Sequence, residues 1–129
     1  MDKSYLITGS TLMTLAIILG AFGAHAIKSK VEPSSVAIWE TAVQYHFIHA
    51  LGILMLGILA QQYSGSLLQW SYRLMLIGTI FFSGSLYLLA TRSLGFWDNW
   101  SSILGPITPL GGLCFIAAWG CLIFMFLKK

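Results

Sequence analysis

Apolar residues fall into four long blocks separated by short polar stretches. The first, about residues 4–26, carries no charge. A bilayer crossing needs ~20 apolar residues, so this block is long enough to span as a helix. The second, about residues 34–60, starts amphipathic, with Glu40, Gln44, Tyr45 and His46, and then turns apolar. Ser34 or Ser35 is placed to cap it after Pro33, a residue that helix interiors reject. The third covers about residues 71–91 and the fourth about residues 108–127, with Pro109 in its first turn. The connections are residues 27–33, 61–70 and 92–107. The ~10-residue alternating segments of a membrane barrel are absent, and helices satisfy their own backbone. The pattern predicts an all-α membrane protein, a compact bundle of four transmembrane helices forming a single domain over residues 1–129.

Composition agrees. Hydrophobic residues make up 57% and charged residues 9% of the chain, with mean hydropathy +0.82. Soluble domains carry roughly 25% charged residues. The formal charge of +3 is scattered, with no basic cluster to suggest nucleic acid. The expected partner is the lipid bilayer. Four spans put both termini on one side, with Lys3, Arg73, Lys128 and Lys129. The other side has Lys28, Lys30 and Arg92. The bias favours cytoplasmic termini. Ala24-His25-Ala26 has the small-x-small form of a signal cleavage site, but the first block reads as a retained helix.

Trp97 and Trp100 mark the longest connection as interfacial, and Trp39, Trp70 and Tyr72 suit the same belt. Cys114 and Cys121 share a helical face about 10 Å apart, too far for a disulfide. They read as small buried apolar residues. Asn99-Trp100-Ser101 matches a glycosylation acceptor, a triplet too common to carry weight.

Small residues recur in register. Ala16, Gly20 and Ala24 repeat every four positions, with Gly23 beside them; Gly84 and Gly112 lie in the third and fourth blocks. Such residues let helices approach closely in lipid, so they read as packing positions. Ser83, Ser85 and Tyr87 offer a polar groove in the third block.

The candidate chemistry centres on His46 and His49, which lie 60° apart on one helical face with Ala42, Tyr45 and Ile53, while Glu40 and Gln44 lie on the opposite face. Titratable groups at membrane depth are costly and need a reason to persist. Three readings follow. The histidines hydrogen-bond across helices; or they bind metal or haem, with His25 as a third ligand; or Tyr45, His46, His49 and Glu40 form a proton relay or polar ligand site. No dense ligand cluster names a metal, and the cofactor stays unknown. Hydrolase, zinc-protease, phosphate-loop and dinucleotide motifs are all absent.

Two stretches carry a resemblance. Residues 20–26, GAFGAHA, and residues 39–51, WETAVQYHFIHAL, are similar to the signature blocks of the domain of unknown function 423 family, the YgdD-like small membrane proteins of bacteria. Residues 82–87 and 106–112 extend the resemblance over nearly the whole chain. It implies an integral protein of the bacterial cytoplasmic membrane with about four helices and no settled activity. The matched positions include Gly20, Gly23, His25, Thr41, Tyr45, His46, His49, Ser83, Gly84, Ser85, Tyr87, Thr108 and Gly112. They nominate one pocket in one half of the bilayer. The expected function is a non-enzymatic binder of a partner, lipid or small ligand. The alternative is a metal, haem or proton-handling component on His25, His46 and His49. A homo-oligomer could form through the stripe on the first helix.

Overall fold

The computed structural model of the chain describes residues 3–94 and 101–128. Four helices are long and apolar enough to cross a membrane: α1 (Lys3–Lys30), α2 (Pro33–Leu59), α3 (Ser66–Ala90) and α4 (Ser101–Leu127). No strand occurs among the described residues. α1 packs on α2 and α3 on α4, and the two hairpins meet chiefly along α2 and α3.

The connections are tighter than the hydropathy pattern suggests. α1 runs on through Lys28–Lys30, leaving Val31 and Glu32 as the link to α2. Pro33 itself starts α2, since its missing N–H is an orphan there in any case. The cap expected at Ser34 or Ser35 is therefore not made; Glu32 precedes the helix in extended conformation without a side-chain cap. Between α2 and α3, Gly65 adopts φ 113°, ψ −178°, a region essentially confined to glycine. α3 then begins at Ser66, so Trp70 lies within it.

The largest boundary correction is at α4, which starts at Ser101 rather than Thr108 and takes Pro106 and Pro109 into its interior. Each proline removes one backbone bond. Membrane helices tolerate such prolines at local cost; Thr108 Oγ1, between the two, donates to the Leu104 carbonyl at 3.1 Å, a carbonyl that neither proline frees. The tryptophan-rich stretch with Trp97, Asp98, Asn99 and Trp100 lies outside the described residues.

α1 and α3 each contain one π-helical turn, Gly23–Ile27 and Thr79–Gly84. Such turns interrupt the α-helical ladder and are frequent near functional sites. Both sit beside the polar residues described below.

In lipid, hydrophobicity gives helices no reason to associate, so packing and interhelical hydrogen bonds must do it. Leu6 packs where a Cβ on Gly57 would stand, at 2.6 Å, and Leu54 does the same at Gly9, at 2.7 Å. A Cβ on Gly111 would run into the Phe82 backbone, and one on Gly78 would stand 2.6 Å from the Phe115 ring. Serines tie the helices further: Ser71 Oγ donates to the Ala118 carbonyl at 2.9 Å and Ser83 Oγ to the Ala42 carbonyl at 2.8 Å.

The core has two apolar centres. One, toward the termini, contains Tyr5, Ile53, Leu56, Leu68, Met75, Ala118, Leu122 and Met125. The other, toward the opposite membrane face, contains Ile27, Trp39 and Ala90. His46, His49, Thr79, Ser83 and Ser85 are buried alongside them.

Candidate functional site

α2 places Trp39, Ala42, His46, His49, Ile53 and Leu56 on its buried face at helical spacing. His46 and His49 are 4% and 3% exposed. They share the face but not the partners.

His49 is fully committed. Its Nδ1 lies 2.8 Å from the Tyr45 carbonyl, which can only accept, so Nδ1 carries the proton. Its Nε2 accepts from the Trp119 indole N–H at 3.1 Å, joining α2 to α4. Two fixed partners thus define a neutral imidazole with one tautomer. The ring also stacks on Phe115, with centroids 3.5 Å apart.

His46 is half committed. Its Nδ1 is 2.9 Å from Tyr87 Oη, which joins α2 to α3. Its Nε2 is buried and has no hydrogen-bond partner. The Tyr87 ring packs against Trp39 with centroids 4.7 Å apart. Trp39 in turn donates its indole N–H to the Leu19 carbonyl of α1 at 2.9 Å. A line of contacts therefore runs from α1 through Trp39 and Tyr87 to His46.

A second polar contact joins α3 to α4, with Ser85 Oγ and Thr108 Oγ1 2.6 Å apart. Tyr45, 38% exposed, packs its ring on Phe82 at 4.6 Å and lies over Phe115. Two of the expected residues stand apart. His25 is exposed on the π-helical turn of α1. Thr41 is exposed and bonds only to the Ala37 carbonyl of its own helix.

Of the packing positions, Ala16 and Gly23 are buried, and a Cβ on Gly20 would meet Val43 at 3.3 Å. Ala24 is exposed. Gly84 has open space where a Cβ would stand, and Gly112 has only Phe82 at 3.9 Å. The close approaches on α3 and α4 fall at Gly78 and Gly111 instead.

The aromatic residues are the main addition to the sequence reading. Trp39 is 5% exposed and belongs to the core rather than an interfacial belt. Tyr72 likewise turns inward, stacked on Tyr5 at 4.0 Å and bonded to Thr8 at 2.9 Å. Trp70, 49% exposed beside Arg73, keeps a belt position. Trp39 could have been found from its spacing, since it lies two turns before His46 on the same face.

A three-histidine metal site does not fit this arrangement. Both nitrogens of His49 are engaged, and His25 is on the surface. Among the described residues, no three His, Cys, Asp or Glu side chains are grouped to hold a metal ion.

The arrangement defines an all-α membrane protein whose polar groups at membrane depth mostly bond across its helices. The chain belongs to the family described as "Protein of unknown function (DUF423)", whose model matches residues 19–112. It is 42% identical over 121 residues to the UPF0382 membrane protein YwdK of Bacillus subtilis, covering 91% of this chain and 90% of that one. The UPF0382 membrane protein SH2409 of Staphylococcus haemolyticus is 38% identical, covering 98% of this chain and 97% of its own. The UPF0382 inner membrane protein YgdD of Escherichia coli is 34% identical, covering 83% and 76%. No solved structure matches the chain.

Proposed function

We propose that the protein is a non-enzymatic lipid binder of the bacterial cytoplasmic membrane that takes an acyl chain from one leaflet. The receiving groove, about 300 Å³, is lined by Phe22, Ile27, Trp39, Tyr87, Leu88, Thr91 and Leu94. The observation that carries this reading is how the groove's polar groups are spent. Trp39 N–H is bonded to Leu19, Tyr87 Oη to His46, and Thr91 Oγ1 to the Tyr87 carbonyl. Each of these groups already has a partner inside the protein. The wall therefore favours a hydrocarbon chain, for which unused donors would be a cost. On this reading the conspicuous polar residues are the scaffold that holds two aromatic walls in place.

A phospholipid with a photoactivatable group at mid-chain tests this in vesicles. Labelling should concentrate on Phe22, Leu88 and Leu94 over Ile116, which is 71% exposed on α4. Leu88→Trp should suppress it by filling the groove. Uniform labelling of all lipid-facing residues would reject a specific site.

The buried, unpartnered Nε2 of His46 supports a second reading, in which this nitrogen handles a proton or meets a small polar ligand. His46→Gln separates the two. The glutamine amide keeps a partner for Tyr87 Oη, so acyl labelling should stay within twofold if the groove is the site, whereas loss of a proton or ligand signal in vesicles would favour the imidazole.

A further inference from the structure

The outer face of α2 carries a different signal. Glu40 and Gln44, one turn apart, are both exposed, and no hydrogen bond or ion pair joins them to the described chain. α2 is 27 residues long. That is about 40 Å of helix against ~30 Å of hydrocarbon, so a centred α2 places Glu40 ~5 Å and Gln44 ~11 Å inside the apolar layer. Lipid tails offer neither group a partner, and polar side chains at such depth are expensive when left bare. Beside them lies a groove of about 210 Å³, lined with Gly20, Gly23 and Ala24 of α1 and with Trp39, Glu40, Val43 and Gln44 of α2. Gly20 and Gly23 are already spent against Val43 and Trp39 of α2, which leaves the exposed Ala24 beside two unpaired polar residues, a combination that suits an interhelical contact in lipid.

We propose that this face docks on a second copy of the chain, with Glu40 bonding to Gln44 of the partner subunit and the reverse pair formed by symmetry. A second copy is the occupant because the ridge is self-complementary. Gln44 supplies an amide donor, Glu40 supplies carboxyl acceptors, and a two-fold axis brings each to the other. The diagonal pairing keeps the two Glu40 side chains from being directly opposed. The exposed Ala24 beside the ridge leaves room for the neighbouring backbone.

The test uses the full chain in vesicles, with Cys114 and Cys121 replaced by alanine and single reporters at Ala24→Cys or Ile116→Cys. The reporter at position 24 should cross-link to itself and the one on α4 should not. Glu40→Leu with Gln44→Leu should lower the dimerisation constant by about tenfold, read independently by energy transfer between labelled copies diluted with lipid. Because both replaced side chains are exposed, unchanged melting in detergent would show that folding is intact. No self-association on dilution, equal cross-linking from both reporters, or a dimer indifferent to the double replacement would each overturn the proposal. A monomer whose Glu40 instead meets lipid headgroups belongs to the first of these outcomes.

Discussion

Trp39 reaches the Leu19 carbonyl at 2.9 Å because Gly23 has no side chain. A Cβ on Gly23 would collide with the indole ring at Nε1 and Cδ1. The small residue on α1 and the large one on α2 thus form a single lock between two spans. The π-helical turn that begins at Gly23 lies within this contact.

Gly23→Ala should therefore destabilise the protein by about 1–3 kcal/mol, the usual range for forcing atoms into a packed core. Gly84→Ala, where a Cβ meets nothing within 4 Å, serves as the control. Thermal unfolding in detergent should separate the two clearly. Equal melting temperatures would mean that Trp39 can turn aside at little cost.

The His49 bridge makes a different prediction. Trp119→Phe removes the donor to Nε2, and His49→Leu leaves the indole N–H without its acceptor. Each single change should cost about 1–2 kcal/mol, and a double-mutant cycle should return a coupling of ~0.6 kcal/mol or more, the mean for interhelical bonds in lipid. Strict additivity would show that the bond contributes nothing beyond packing.

His46 and Tyr87 should behave unequally. Tyr87→Phe strips Nδ1 of its partner and leaves both ring nitrogens bare, at a cost of about 1–3 kcal/mol. Tyr87→Phe combined with His46→Leu removes the unsatisfied groups together, and part of the lost stability should return. A double variant less stable than Tyr87→Phe alone would assign His46 a role that hydrogen bonding does not explain.

Membrane orientation can be read with reporter fusions. Lys3, Arg73 and Lys128 lie toward the terminal side, against Lys28, Lys30 and Arg92 on the other. Sequence counts add Lys129 to the first group. The bias is small, so reversing it should be easy. A fusion at the C-terminus should report the cytoplasm, and Lys128→Glu with Lys129→Glu should populate the opposite orientation. A periplasmic signal from the unaltered chain would invert the assignment.

The spans were legible because a helix in lipid must be long, apolar and nearly free of charge, and each block met that condition locally. Helical spacing alone also puts His46 and His49 on one face of α2 with Ala42, Tyr45 and Ile53, but that this face is buried, with Tyr45 at its exposed edge, came from the packing. Boundaries were harder. Pro109 reads as a first-turn residue and Pro106 as part of the preceding loop in a linear reading, but α4 starts earlier and continues through both. Tryptophan misled in the same way. Trp39 has the composition of an interfacial residue, and only the absence of a side chain on Gly23 lets it turn inward.

What the sequence determined by itself was the solvent. Its hydropathy required lipid, lipid required helices, and helical periodicity put His46 and His49 on one side of α2. Which polar atoms meet was decided by the tertiary structure alone. His46 and Tyr87 are 41 positions apart, and His49 and Trp119 are 70 apart. Pairing over such separations depends on the relative rotation and depth of whole helices. Those are set by Gly9, Gly23, Gly78 and Gly111 against the particular side chains that fill the space they leave. The same rotation turned Glu40 and Gln44 outward.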